Sequence, residues 1–164
     1  MKRKEVICLE REEFLLLAGK YKDTVFRVAL NALKSPQDAD DIVQETLLRL
    51  WKRNAPFESE AHAKHWLIRV ALNLCKNVFR APWRKVIALE ELDAAAVFDK
   101  PEQDTLFAAV MALPEKYRTV LYLFYYEEYS VKEIARLLGV SQSVVTTRLS
   151  RARQALKSEL TEVS

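Results

Sequence analysis

Both histidines and one of the two cysteines of this chain lie in the stretch EAHAKHWLIRVALNLCKNVFR, residues 60–80. Imidazole and thiol groups are common zinc ligands and common catalytic groups. A zinc site needs three or four converging ligands, and the two histidines could recruit at best Glu58 or Glu60 as a third. An enzyme that depends on a metal or a thiol would have only His62, His65 and Cys75 to use. We therefore expect no enzymatic activity, no metal and no cofactor.

The composition is typical of an ordinary folded protein that is not inserted in a membrane. Half of the 164 residues are apolar, enough for one good core or two small domains. Apolar runs such as FLLLA and VLYLFYY are far shorter than the roughly 20 residues of a membrane-spanning helix, and no apolar signal core follows MKRKE. Cys8 and Cys75 lie far apart, which fits reduced thiols. We expect a cytoplasmic protein.

The periodicity predicts an all-α fold of two small domains, because the chain has only two glycines and little alternating polar and apolar pattern. The first domain, residues 1–81, should contain helices over 10–33, 36–53 and 60–80. Ser35 and Ser59 are the expected N-caps of the second and third helices, and Pro36 suits a first helical position. An acidic linker should follow over 82–101, since residues 90–104 carry six acids and one base.

The second domain, residues 102–164, should end in a helix-turn-helix. Helices are predicted over 101–112 and 114–126. Ser130 and Glu133 then form a capping box, Gly139 supplies a left-handed C-terminal cap, and Ser141 caps the last helix. A short helix, a three-residue turn and a long helix define the motif.

The outer face of the last helix has the composition of a DNA-reading surface. Val145, Leu149, Ala152 and Leu156 share the inward arc. Short hydroxyl side chains lie opposite, flanked by arginines, and residues 131–157 carry six bases and one acid. Hydroxyl groups can approach base edges in a major groove, and arginines can reach phosphates or guanine. The candidate duplex contacts are Ser141, Ser143, Thr146, Thr147, Arg148, Ser150, Arg151 and Arg153.

A second basic stripe lies on the third helix. Residues 52–85 carry eight bases and two acids, and one outward stripe combines bases, an amide, imidazoles and an edge aromatic. This composition suits phosphate contacts and stacking with single-stranded nucleic acid. The stripe consists of His62, His65, Trp66, Arg69, Asn73, Lys76 and Arg80.

The second helix presents an acidic face that contains an outward leucine. Ala39, Val43, Leu47 and Leu50 share its inward arc, and the opposite side carries Asp38, Asp41, Gln44, Glu45 and Leu48. Charges alone indicate a solvated face. Leu48 among them favours docking onto a basic, partly apolar surface.

Two motifs in this order resemble a known family. DADDIVQETLLRLW with HWLIRVALNLCKNVFR is similar to the second conserved region of bacterial sigma factors, and LPEKYRTVLYLFYYEEYSVKEIARLLGVSQSVVTTRLSRARQAL resembles their promoter-binding C-terminal domain. The lack of further domains is typical of the extracytoplasmic-function (ECF) class. The resemblance implies a subunit that binds core RNA polymerase, recognises the minus-thirty-five and minus-ten elements of promoter DNA, and initiates transcription of a stress or envelope regulon. It also implies an anti-sigma factor as partner.

The resemblance assigns roles to particular positions. Asp41, Gln44 and Glu45 match the residues that contact the polymerase clamp helices. The loop of residues 54–61 matches the one that receives a flipped minus-ten base, which makes Asn54 and Phe57 candidates. Phe57 can equally be a core aromatic, and core packing is the default expectation for Trp51 and Trp66. The alternative function is a helix-turn-helix regulator that does not associate with core polymerase.

Overall fold

The computed structural model describes residues 10–79 and 104–163, and within these ranges it contains helices and no strand. The first range holds α1 (Arg11–Leu33), α2 (Pro36–Trp51) and α3 (Glu60–Phe79). The second holds α4 (Asp104–Met111), α5 (Glu115–Leu121) with a π-helical turn (Tyr122–Tyr126), α6 (Val131–Leu138) and α7 (Gln142–Val163). The predicted all-α class is confirmed. The predicted linker, residues 82–101, and Arg80 lie outside the described residues.

The helices of the first domain begin where side-chain capping predicts. Ser35 Oγ accepts a hydrogen bond from the Asp38 N–H at 3.1 Å, and Pro36 is the first residue of α2. Ser59 Oγ accepts from the His62 N–H at 3.1 Å at the start of α3. Each cap satisfies an amide that has no partner within its own helix, which fixes the helix start from local sequence.

α1 is the central helix of the first domain and packs against both α2 and α3. The buried positions of α2 are Ala39, Ile42, Thr46 and Leu50, whereas Val43 and Leu47 are half-buried. The buried face of α2 is therefore centred on slightly different residues from those predicted. The reason is that α2 contacts α3 as well as α1 and buries a wider face. On α3, Cys75 is buried in the core, together with Ala63, Leu67, Ile68 and Ala71.

The helix-turn-helix of α6 and α7 is confirmed in detail. Ser130 Oγ accepts from the Glu133 N–H at 3.1 Å, and the Glu133 carboxylate accepts from the Ser130 N–H at 2.8 Å. Gly139 ends α6 at φ 66°, a left-handed conformation that glycine adopts without a Cβ penalty. Ser141 Oγ then caps α7 by accepting from the Val144 N–H at 3.2 Å. These local bonds fix where α6 ends and α7 begins, and packing of α7 against α5 and α6 sets its direction.

The predicted helix over 114–126 does extend to Tyr126, but its last five residues are not α-helical. Residues 122–126 form a π-helical turn, in which the Glu127 N–H donates to the Tyr122 carbonyl at 3.1 Å. The Tyr122 and Tyr126 rings stack at 5.1 Å. Glu128 follows with φ 60°, in the left-handed region that a non-glycine residue adopts at a cost. Periodicity cannot show a widened turn, because the same apolar residues fit either helix.

The two domains are joined by a buried arginine. Arg118 of α5 is 4% exposed, and its guanidinium donates to the carbonyls of Asn31 at 2.9 Å and Ala32 at 3.0 Å, in the last turn of α1. A third bond goes to the Leu113 carbonyl in its own domain. The buried apolar residues of both domains form one continuous cluster around this contact. Arg118 therefore satisfies carbonyls in both domains.

We expect Arg118→Ala to lower the free energy of unfolding by at least about 3 kcal/mol, since three buried carbonyls would each lose a charged donor, at roughly 1–3 kcal/mol per bond. Urea denaturation followed by circular dichroism measures the change. Lys116→Ala is the matched control, because Lys116 lies on the same helix but is exposed. Equal losses in the two variants would contradict a structural role for Arg118.

Candidate nucleic-acid interface

The exposed face of α2 combines acid, amide and apolar groups. Asp41 and Gln44 are exposed, and Leu48 is 44% exposed between them and the helix end. Trp51, one turn beyond Leu48, is 47% exposed. Its ring meets that of Phe14 edge to face, with the ring centres 5.0 Å apart. Sequence reasoning favoured a core position for Trp51. The i, i+3 spacing from Leu48 was the signal that places both on one face.

The charged side chains of this face differ in their burial and in the contacts they make. Glu45 is half-buried and its carboxylate pairs with Arg49 Nε at 3.2 Å, one turn along the helix. Asp38 is half-buried beside the Ser35 cap. Asp41 and Gln44 therefore form the exposed polar centre of the face, and Leu48 and Trp51 form its apolar end. An acidic and apolar face of this kind suits a basic protein surface.

The loop between α2 and α3 is built around Arg53. Its Nε donates to the Ala55 carbonyl at 2.9 Å, and the guanidinium lies 4.2 Å from the centre of the Phe57 ring and 5.0 Å from that of Trp66. The centres of the Phe57 and Trp66 rings are 5.7 Å apart. Arg53, Phe57 and Trp66 form what we call the loop stack. Sequence reasoning missed Arg53, although a base just before a Pro-Phe loop could have indicated it.

His62 closes the same loop from the first turn of α3. Its Nδ1 accepts a hydrogen bond from the Glu58 N–H at 3.2 Å, which leaves the proton of the neutral ring on Nε2. The His62 ring also meets Phe57 edge-on at 5.3 Å. His62 therefore shapes the loop stack. Asn54 is exposed and lies near the start of the loop, three residues before Phe57 in the chain.

The basic stripe of α3 is only partly open to solvent. Arg69, Asn73 and Lys76 are exposed, as the helical periodicity predicts. His65 is half-buried, and its ring meets Tyr129 of the second domain edge-on at 6.2 Å. Burial lowers the pKa of His65 below its ordinary value of 6.5, and the nearby charge of Arg69 lowers it further. His65 is thus kept neutral at the domain contact.

The outer face of α7 is exposed where the sequence predicts. The α7 core face of Val145, Leu149 and Ala152 is buried. The opposite side is exposed at these predicted contact residues: Ser143, Thr146, Thr147, Ser150 and Arg151. Thr146 donates its hydroxyl to the Gln142 carbonyl at 3.0 Å within the helix.

The other three predicted duplex contacts, Ser141, Arg148 and Arg153, each make contacts within the protein or line a cleft in it. Ser141 is the N-cap of α7. Arg148 is half-buried and lines a cleft between the domains, together with Lys76 and Lys116. Arg153 Nε donates to the Tyr125 hydroxyl, and its guanidinium lies 5.6 Å from the Phe124 ring centre. The aromatic pair holds Arg153 at one edge of the α7 face.

The part of the chain that the structure describes contains neither a cluster of metal-binding side chains nor a helix that could span a membrane. Within residues 10–79 and 104–163, no three side chains among His, Cys, Asp and Glu are grouped so as to hold a metal ion. In the same part of the chain, no helix has the length and apolar character needed to cross a bilayer.

Comparison with known proteins identifies the class. The model of Sigma-70 region 2 matches residues 17–85, and that of Sigma-70 region 4 matches residues 103–156. The RNA polymerase sigma-E factor of Streptomyces avermitilis is 32% identical over 156 residues, covering 93% of this chain and 86% of that protein. The ECF RNA polymerase sigma factor SigM of Mycobacterium tuberculosis is 30% identical over 152 residues, covering 90% and 76%.

Solved structures agree in fold. CnrH in complex with the cytosolic domain of CnrY matches with a TM-score of 0.70 and 25% identity, covering 95% of this chain and 92% of that chain. The sigma factor RpoE of Bartonella quintana, in complex with the anti-sigma factor NepR, has a TM-score of 0.71 at 21% identity, with 92% and 96% covered.

The fold is that of a two-domain sigma factor. The chain belongs to the sigma-70 family, as an alternative sigma factor of the ECF class. The alternative reading, a helix-turn-helix regulator that acts apart from core polymerase, is wrong, because the first three helices match region 2 of the same family.

We expect Arg53→Leu to reduce opening of minus-ten DNA at least about tenfold, because the loop stack loses its central cation and its bond to Ala55. Permanganate footprinting with core polymerase measures opening. Lys52→Leu is the matched control, since it removes the same charge from an exposed neighbour outside the stack. If both variants lose opening equally, charge near the loop is sufficient and the stack has no separate role.

Proposed function

We propose that three separate surfaces of this sigma factor divide the work of initiation. The α2 face of Asp41, Gln44 and Leu48 binds core polymerase. The loop stack and the α3 stripe hold the opened minus-ten element, and the outer face of α7 reads the minus-thirty-five duplex. The protein forms and breaks no covalent bond itself. It works in the cytoplasm, where polymerase and promoter are.

The observation that carries this proposal is the chemical contrast between the exposed surfaces. The α2 face offers acid and apolar groups, which suit a protein and repel a phosphate backbone. The α3 stripe offers Arg69, Asn73 and Lys76 beside an aromatic stack, and the α7 face offers hydroxyl groups with Arg151. The composition of the α3 stripe fits a single strand, and that of the α7 face fits a major groove.

The energy for strand opening can come from the loop stack. Taking one base out of a duplex costs a few kcal/mol, and stacking on an aromatic side chain returns about 1–3 kcal/mol per base. Phe57 and Trp66 are half-buried and already positioned by Arg53 and His62, so little side-chain freedom is lost when a base binds. Preference for the opened strand over the duplex therefore drives the step.

We also propose that an anti-sigma factor regulates this chain. The solved structures of similar fold include a sigma factor in complex with an anti-sigma factor. A protein partner that covers the α2 face or the α3 stripe would prevent initiation without altering the fold. Co-purification from cells with this chain as bait identifies such a partner.

The direct test of the function is run-off transcription with core polymerase on a promoter library. The purified chain should direct initiation from a defined subset of promoters. Failure to bind core polymerase and to start transcripts from any promoter, with inhibitors removed, would contradict the proposal.

We expect Asp41→Lys to weaken binding to core polymerase about tenfold or more, because it reverses a charge at the centre of the α2 face. Asp40→Lys makes the same charge change at an exposed position about 100° round the helix. Fluorescence anisotropy of labelled sigma factor with core polymerase measures both affinities. A similar loss for Asp40→Lys would mean that total charge, and not this face, determines binding.

The two DNA surfaces should fail separately. Arg151→Ala should weaken binding of the minus-thirty-five duplex by about 1–3 kcal/mol and leave opening of the minus-ten element intact. Asn73→Ala should impair opening and leave duplex binding unchanged. Gel-shift assays and permanganate footprinting measure the two steps, and identical defects in both assays would refute the division.

A further inference from the structure

The second domain places an acid and an aromatic ring against the basic stripe of α3. Glu127 Oε2 lies 2.8 Å from Lys64 Nζ, and the Glu127 side chain is only 6% exposed. The other carboxylate oxygen accepts from the Tyr122 hydroxyl at 2.9 Å. Glu127 is thus an oriented anion, held by its own domain and presented to a base of the other domain.

Tyr129 supplies the aromatic part of the same contact. Its ring centre lies 5.4 Å from Lys64 Nζ, and its ring meets His65 edge-on. The left-handed Glu128 lies between Glu127 and Tyr129 in the chain, where the backbone turns after the π-helical turn. The contact therefore joins His65 of the stripe and the preceding residue of α3, Lys64, to one short segment of the second domain.

An anion and a ring are also what a single strand of DNA offers to a basic stripe. Phosphates pair with lysine and arginine, and bases stack on rings or pack against them. We propose that segment 127–129 acts as an intramolecular mimic of the opened strand, which occupies Lys64 and His65 until promoter DNA displaces it. This inference rests on the proposed function, since it presumes that the α3 stripe binds the minus-ten strand.

The closed arrangement must open on a promoter for reasons of size alone. Elements centred about 25 base pairs apart lie about 85 Å apart along straight B-form DNA at 3.4 Å per step. A compact chain of 164 residues has a radius of gyration of about 15 Å, hence a diameter of about 40 Å. Two domains in contact therefore cannot reach both elements on an undistorted duplex.

The contact is built so that it can separate. The Tyr129 hydroxyl is buried and has no hydrogen-bond partner among the described residues, which costs stability. The Lys64–Glu127 pair is largely removed from water, and the desolvation of both charges offsets much of their attraction. On separation, water can hydrate all of these groups, so the contact of segment 127–129 itself adds little to the cost of opening, which lies mainly in the Arg118 bonds and the shared apolar cluster.

The test uses Glu127→Gln, which removes the anion, keeps an acceptor for Tyr122 and alters no proposed DNA contact. The probe is a fluorescent single-stranded oligonucleotide of the minus-ten non-template sequence, added to the full chain without polymerase. We expect Glu127→Gln to bind it about fivefold tighter or more than the wild-type chain. Glu128→Gln is the matched control, since Glu128 is exposed and carries the same charge.

Several outcomes of this experiment would overturn the proposed mimic. Equal gains in Glu127→Gln and Glu128→Gln would show a general charge effect and overturn the mimic. No gain, or no binding of the oligonucleotide to either protein, would overturn it as well. Run-off transcription tests the proposed function separately: a chain that initiates normally but shows no gain in Glu127→Gln refutes the mimic alone.

His65 gives a second readout that does not depend on the oligonucleotide. Its charged neighbours are Arg69 and His62 on α3 and Glu133 and Arg136 on α6, none of which changes in Glu127→Gln. Because the closed arrangement lowers the pKa of His65, opening should raise it toward 6.5. NMR titration of the imidazole resonance should show this rise in Glu127→Gln and not in Glu128→Gln. An unchanged pKa would mean that the variant stays closed.

Discussion

Arg118 joins the two domains through one buried guanidinium, and the positions of the other surfaces depend on it. The last carbonyls of a helix have no partner within that helix, and a cation near them interacts favourably with the helix dipole. Arg118 supplies both the donors and the charge to the end of α1, while holding the turn before α5 through Leu113. The same residue thus completes one domain and anchors the other. Once it is in place, segment 127–129 lies against α3.

The sequence predicted what local chemistry determines. Ser35, Ser59, Ser130 and Ser141 cap the helices as expected, because each bond lies within three residues of its cap. The α7 face followed from periodicity for the same reason. The role of Arg118 and the half-burial of His65 could not be predicted, because they depend on contacts between residues far apart in the chain. The geometry of the loop stack could not be predicted either, although the position of Arg53 just before the Pro-Phe loop was a signal for its participation. The π-helical turn escaped for a related reason, since widened and regular turns share one apolar pattern.

The closed arrangement links stability to regulation. Contacts that bury Arg118 and Glu127 stabilise the free chain, and the same contacts cover Lys64 and His65. A state that binds both promoter elements must give up these contacts, so the affinity for DNA is reduced by the free energy of opening. Core polymerase or an opened strand can supply that energy through the α2 face or the α3 stripe. Under the proposed function, such a chain binds promoter DNA weakly when free and strongly when bound to core polymerase.

The most direct measurement is the distance between the two domains in solution. Labels can be placed at Asp23→Cys and Ser158→Cys, both exposed, in a chain whose Cys8 and Cys75 are replaced by alanine. Single-molecule energy transfer should give one distance below about 40 Å in the free chain and one beyond about 60 Å in the complex with core polymerase and promoter DNA. A long distance already in the free chain, or an unchanged short distance in the promoter complex, would contradict the closed arrangement and its opening.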